Sequence, residues 1–243
     1  MKKNFAMRVA ACLLVVTMLS LCMVSYTYAK YTTGAYTDEK VAQVAKWGVE
    51  VKASLADIFE TGYVNGPLEE LDDDTATVLT SGTYNLFAPG TKDEQAAALT
   101  ITGTPEVAVT VDYTLTVELD KWEVTSGEYM PLVFVIKVTT TNLGTTAEKT
   151  FKIGTGSNEY ATVALLQQAM IDFVDSYDII AGAATERVNP NVDLNTQIDI
   201  SWSWAYHVDD ATDKLDTELG DNADDGNPAT CTISLGATVT QID

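Results

Sequence analysis

The chain has 243 residues, with 35 acidic side chains against 14 basic ones, one histidine and three cysteines. Lys2, Lys3 and Arg8 are the only charges before position 30, so residues 30–243 carry all 35 acids against 11 bases, a formal charge of −24. That sign and size argue against a nucleic-acid partner, whose phosphates need lysine and arginine, and against lying flat on an anionic membrane. A hydrophobic content of 46% is too high for a disordered acidic tail and requires a packed core. One histidine, with no spaced His/Cys pairs, removes the usual zinc ligand sets.

Residues 1–29 read as an export signal. Lys2, Lys3 and Arg8 form a basic start, Val9 to Val24 is mostly apolar, and Thr27-Tyr28-Ala29 places a small residue at the cleavage position. The uncharged run Val9–Ala29 is also long enough to act as a retained membrane anchor. Thr17, Ser20, Ser25 and Thr27 dilute it, which favours cleavage by a signal peptidase. Lipidation at Cys22 is disfavoured by bulky Leu21 just before it. Cleavage leaves Cys231 alone, so no intramolecular disulfide is expected and stability must come from the core. No second apolar stretch lies near the C-terminus, and no stable membrane insertion is expected after cleavage. The expected location is outside the cell.

Residues 30–45 are mostly small or polar, and residues 46–243 read as one all-β domain, a jelly-roll-like β-sandwich with one amphipathic helix. Val49, Val51 and Ala53 alternate after Trp47, and Leu99 to Thr102 make a short strand. Val107, Val109, Val111, Tyr113, Leu115, Val117 and Leu119 hold every odd position of a long run with polar residues between, the pattern of a strand with one buried face. Leu132 to Thr139 and Thr150 to Ile153 are placed to pair across Asn142-Leu143-Gly144-Thr145. Between about 159 and 177 the period changes: Val163, Leu166, Met170, Phe173, Val174 and Tyr177 fall at helical spacing, with Asn158 as the expected N-cap, Glu159 at the positive end of the dipole and Gly182 as the far limit. Alternation returns at Ile198, Ile200, Trp202, Trp204 and Tyr206, and again at Cys231, Ile233, Leu235, Ala237 and Val239. Cys231 stands in the inward column and reads as a buried small hydrophobe rather than a reactive thiol. Threonine fills many polar positions of these runs, where a β-branched side chain suits a wet pleated face.

Little in the chain looks catalytic. His207 follows a strand beside Asp209 and Asp210, where a histidine–carboxylate pair can serve as a base, but a loop histidine at a strand end explains it as well. No nucleophile elbow, H-E-x-x-H helix or P-loop is present, and Gly154-Thr155-Gly156 suits a simple strand-to-helix turn. The main polar feature is acidic. Asp209, Asp210, Asp213, Asp216, Glu218, Asp221, Asp224 and Asp225 crowd into one stretch opposed only by Lys214. Two readings stand: a solvated loop, or a loop whose aspartates bind calcium, a hard cation that relieves carboxylate repulsion. Asp221 to Gly226 resembles the start of an EF-hand loop, but Ala223 and Thr232 stand where ligands are needed. Asp72-Asp73-Asp74 with Glu69 and Glu70 is a second acidic run. Trp202, Trp204 and Tyr206 read as core; Trp122 and Tyr129 are the only aromatic candidates for a sugar-binding surface.

Three stretches carry a family resemblance: Y-A-K-Y-T-T-G-A-Y-T-D-E-K-V-A-Q-V-A-K-W-G-V-E-V (Tyr28 to Val51), A-P-G-T (Ala88 to Thr91) and W-S-W-A-Y-H-V-D-D-A-T-D-K-L-D-T-E-L-G-D (Trp202 to Asp221). The chain resembles the TasA/camelysin-like exported proteins of Gram-positive bacteria, which carry signal peptides for a SipW-type peptidase. The resemblance implies a jelly-roll β-sandwich at the cell surface or in a biofilm matrix, and in fibre-forming members a mature N-terminus that donates a strand to the next subunit. On this sequence the donated side chains would be Tyr31, Ala35, Val41 and Val44; a flexible tail or an intramolecular edge strand fits the same residues. The leading expectation is a secreted, non-enzymatic structural protein that self-associates into fibres. The alternatives are a calcium-stabilised extracellular module that binds polysaccharide or protein, and a camelysin-type surface metallopeptidase. A single histidine and no metal-ligand helix argue against the last.

Overall fold

The structure, a computed structural model, describes residues 47–55, 58–60, 62–63, 78–79, 85–140, 145–179 and 187–242. The proposed signal peptide, Tyr31, Ala35, Val41 and Val44, the Asp72 run and Gly182 lie outside the described residues. The described residues belong to one compact unit, Ala45–Asp243. None of the described helices is long and apolar enough to cross a membrane.

In chain order the elements are β1 (Val49–Ala53), β2 (Gly62–Tyr63), β3 (Val78–Leu79), β4 (Lys92–Gly103), β5 (Val109–Asp120), β6 (Glu123–Val124), β7 (Gly127–Glu128), β8 (Leu132–Thr140), β9 (Thr145–Phe151), α1 (Val163–Asp175), β10 (Leu194–Trp204), α2 (Asp210–Asp224) and β11 (Thr230–Gln241). They form an all-β sandwich with packed helices. One layer is a five-stranded antiparallel sheet in the order β1-β4-β10-β8-β9; the other is the long pair β11-β5; β2-β3 and β6-β7 are small separate hairpin-like pairs. The expected pairing across residues 142–145 is present, as Phe134 faces Phe151 and Thr140 faces Thr145, although β9 begins at Thr145 rather than Thr150.

The period-2 pattern fixes which faces meet. The inward columns of β5 (Val109 to Leu119), β8 (Leu132, Phe134, Ile136, Val138) and β10 (Leu194, Ile198, Ile200, Trp202, Trp204) are all buried in one cluster. A buried hydrogen bond from the Tyr113 hydroxyl to Thr196 Oγ1 (3.1 Å) joins the two layers. Tyr206 departs from expectation: it stands past the end of β10 and is 58% exposed. Val51 is likewise 38% exposed, because β1 is a short edge strand. At one end of the core Phe59, Phe87, Trp122, Trp202 and Trp204 pack ring to ring at 5.3–6.2 Å. Their indole N–H groups are satisfied: Trp122 donates to the Thr230 carbonyl (2.9 Å) and Trp202 to that of Ile58 (2.6 Å).

Helix α1 buries Val163, Leu166, Met170 and Val174 and packs on β5. It begins later than residue 159, and Thr162 rather than Asn158 is the cap, its hydroxyl accepting from the Leu165 amide (3.2 Å). The reason is local. Residues 154–160 are held to the end of β9 by Gly154 N–H to the Tyr160 carbonyl and Tyr160 N–H to the Lys152 carbonyl, both 3.0 Å, and cannot join the helix. Glu159 therefore serves the turn, accepting from the Gly156 amide (2.7 Å) and pairing with Lys152 (2.7 Å), which lower its pKa, the lysine first.

β4 is far longer than the expected Leu99–Thr102 strand because it carries a bulge. Its register with β10 slips between Ile198 and Ile200, and Ala97 adopts a left-handed φ of 54°. Asp199 Oδ1 takes the Ala97 amide (2.7 Å) and the Gln197 side-chain amide (2.8 Å), satisfying a donor that the bulge frees from the ladder. Two consequences are measurable by urea denaturation. Ala97→Gly should stabilise the fold by about 0.5–1 kcal/mol through relief of the left-handed strain, net of glycine's entropy. Asp199→Ala should destabilise it by about 1–3 kcal/mol, because the Ala97 amide loses its acceptor.

Candidate functional site

The acidic stretch expected as a loop is helix α2. Asp209 caps it, its Oδ1 accepting from the amides of Ala211 (3.0 Å) and Thr212 (2.8 Å), and Asp210 and Asp213 fall in the first turn where the helix dipole favours anions. Leu215 and Leu219 give it a narrow apolar stripe. A capping aspartate followed by leucines four apart was the signal for this helix, overshadowed by the density of acids.

Helical spacing then sends the carboxylates to different sides. Asp213 Oδ2 meets His207 Nδ1 at 2.7 Å, so the histidine's carboxylate partner is on the helix rather than at the neighbouring Asp209 or Asp210. Asp216, only 9% exposed, faces the sandwich; its Oδ1 accepts from the Tyr129 hydroxyl (2.6 Å) and from Trp204 Nε1 (3.3 Å). Glu218 accepts from the Thr125 amide and hydroxyl, and Asn222 donates to the Glu123 carbonyl (3.1 Å). Asp221, Asp224 and Asp225 stand at the other end, where Asp225 is the C-cap. Among the described residues no three His, Cys, Asp or Glu side chains are grouped so as to hold a metal ion. The calcium expectation for Asp209, Asp210, Asp213, Asp216, Asp221, Asp224 and Asp225 thus gains no ligand shell. The other glycine-turn candidate is filled by its own chain: a Cβ at Gly154 would meet the Glu159 carboxylate at 2.1 Å.

Electrostatics separate these groups. Burial raises Asp216 above the ordinary carboxylate range and the nearby Asp213 charge adds to this, against the lowering by the Tyr129 and Trp204 hydrogen bonds. Burial, then the hydrogen bond and charge of Asp216, raise the Tyr129 phenol, which stays a donor. The Thr125 hydroxyl and amide lower Glu218. Trp122 and Tyr129 therefore offer no sugar-binding surface: the first is buried and the second is committed to Asp216. Cys231 is half-buried and its thiol is pushed up to about 12 by burial, in keeping with a small hydrophobe.

A second feature lies on the opposite side of β11 from β5. Among the described residues β11 pairs only with β5, through twelve residues from Thr230↔Asp120 to Gln241↔Val109. Of its inward column Leu235 is buried and Cys231, Ile233, Ala237 and Val239 are half-buried, whereas the column of β5 is buried throughout. β11 carries no charge and no proline, while the edge strands of the larger sheet hold Glu50 and Lys52 in β1 and Glu148 and Lys149 in β9.

No family model, curated protein or solved structure matches the chain. The resemblance to the TasA/camelysin-like proteins rests on the quoted residues alone.

The brace between α2 and the sandwich is testable. Tyr129→Phe should cost about 1–3 kcal/mol, since Asp216 stays buried with one donor fewer. Asp216 binds its proton more tightly folded than unfolded, so its contribution to stability falls as pH rises from the ordinary carboxylate range through the raised value. Asp216→Asn removes that term, and its stability relative to wild type should rise with pH across the same window in chemical denaturation; a parallel pair of curves would contradict the assignment.

Proposed function

We propose that the chain is an exported, non-enzymatic structural protein of a Gram-positive cell surface or biofilm matrix, whose copies join by strand addition. Residues 1–29 are removed by a signal peptidase. The segment that follows, with Tyr31, Ala35 and Val41 at odd positions that share one strand face and Val44 on the other, lies along β11 of the next copy.

The observation that carries this reading is the edge of β11, which among the described residues pairs with no strand but β5. Natural sheets guard long edges with charges, prolines or bulges, because a row of unpaired N–H and C=O groups templates pairing with another chain. β1 and β9 carry such charges and β11 carries none over twelve residues. An added strand would complete the hydrogen-bond ladder and bury the half-exposed column of Cys231, Ile233, Ala237 and Val239, the β-augmentation mode of recognition. The quoted resemblance points to the same class of protein, and the −24 charge of residues 30–243 suits a soluble subunit before assembly.

The chain starting at Lys30 should form filaments visible by electron microscopy at high concentration. Deleting residues 30–45, or placing Lys at both Ser234 and Thr238, should leave a monomer in sedimentation with the thermal midpoint of the parent retained within a few degrees. A parent chain that stays monomeric, or filaments that persist after the deletion, would overturn the strand-addition reading. Sequencing the N-terminus of the exported protein should return Lys30 first.

A further inference from the structure

A cleft runs between residues 85–89, α2 and the start of β11. Its larger part, about 670 Å³, is walled mainly by apolar groups, among them Phe87, Trp204, Leu219, Ala223, Pro228 and Cys231. The adjoining part, about 320 Å³, is polar and holds His207, Asp213 and Asp216. Pro89 and Asp216 border both, so the two parts are neighbours.

The polar end is short of positive partners. Asp213 Oδ2 is taken by His207, but Asp213 Oδ1 is buried and has no hydrogen-bond partner among the described residues. Both donors to Asp216, Tyr129 and Trp204, land on Oδ1. Of the side chains around this end, none is a lysine or arginine. Asp213 Oδ1 is closed off from the cleft, whereas Asp216 Oδ2 is left without a donor among the described residues, and two nearby carboxylates repel unless a cation relieves them. The apolar end, with two aromatic walls, suits a hydrophobic body. A metal ion does not fit this combination, since most of the cleft offers carbon rather than oxygen ligands.

We propose that this cleft binds an amphiphilic organic cation, a protonated amine carried on an aromatic or branched apolar body. The ammonium donates to Asp216 Oδ2, the acceptor left without a donor at the border of the two parts, with the Asp213 carboxylate nearby, and the body lies against Phe87, Trp204 and Leu219. The −24 charge outside the signal segment concentrates such cations near the surface, and the cleft selects those with an apolar body. The cleft touches β11 only at Thr230 and Cys231, and the contact at Asp216 does not require strand addition.

The test uses the full chain and 1-naphthylmethylamine, with 1-naphthylmethanol and 1-naphthoate as neutral and anionic counterparts. The Trp204 indole N–H resonance should shift saturably with the amine, with affinity about tenfold or more above either counterpart, the worth of one charged hydrogen bond. Asp216→Asn should bring amine and alcohol close to parity, and Ala223→Trp, which fills the groove from an exposed helix position, should abolish the shift. Each variant is checked for a wild-type pattern of the remaining indole resonances. No saturable shift up to about 10 mM amine, equal binding of all three compounds, or undiminished amine preference in Asp216→Asn would overturn the proposal.

Discussion

The apolar face of the five-stranded sheet has to be covered, and the described part of the chain supplies only two long strands and a helix to cover it. β8 and β10 contribute Phe134, Ile136, Ile198, Ile200 and Trp202, all buried, and each such side chain withdrawn from water is worth about 1.5–3 kcal/mol. β5 lies in the middle of the cover, with β11 on one side and α1 packed against it, so its column is buried to the last residue. β11 lies at the margin, and its column is not. The aromatic cluster of Phe59, Phe87, Trp122, Trp202 and Trp204 closes the end that the strands leave thin. The β11 edge left unpaired among the described residues, the cleft beside Trp204 and the brace of α2 all follow from this mismatch between the two layers.

The same economy governs the acids. Most stay on wet strand faces, as Asp112, Glu118 and Asp120 do on β5. Those drawn inward meet donors that the fold leaves free. Asp199 closes the bulge at Ala97, Asp178 accepts the Tyr113 amide at 2.7 Å, and Asp216 takes the Tyr129 hydroxyl and the Trp204 indole. A carboxylate reaches further than a backbone carbonyl and accepts two donors at once, which is why an acidic chain can use it to tie off irregular backbone. Helix α2, with only Leu215 and Leu219 as apolar anchors, is attached largely by such contacts. Asp216 shows the limit of the device: burial holds its ionised form above the energy it has in water, and the Tyr129 hydrogen bond offsets only part of that.

The long strands were legible because period-2 alternation survives in them without interruption: the columns at Val109–Leu119, Ile198–Trp204 and Cys231–Val239 face inward as read. Where the reading failed, a contact distant in sequence had decided the outcome. The bulge at Ala97 depends on Asp199, so the twelve residues of β4 do not alternate and only its last part looked like a strand. The start of α1 depends on the ties between residues 154–160 and β9, which outcompete a good capping residue at Asn158. Acid density hid α2, although its cap and leucine spacing were in the sequence, and the pairing of Asp216 with Tyr129 joins residues far apart in the chain. The cleft likewise assembles from residues 85–89, 204–223 and 228–231, which no local pattern connects.

Residue-resolved hydrogen exchange on β11 tests the central claim most directly, because an antiparallel strand turns alternate amides toward opposite neighbours. In the dispersed chain, the amides of Thr230–Gln241 that point into the β5 ladder should exchange slowly and the alternate ones fast. After assembly the alternate amides should become as slow as the first set, while those of β1 and β9 keep their rates. Alternate amides that are already slow in the dispersed chain, or that stay fast in the assembly, would contradict an open β11 edge as the site of joining.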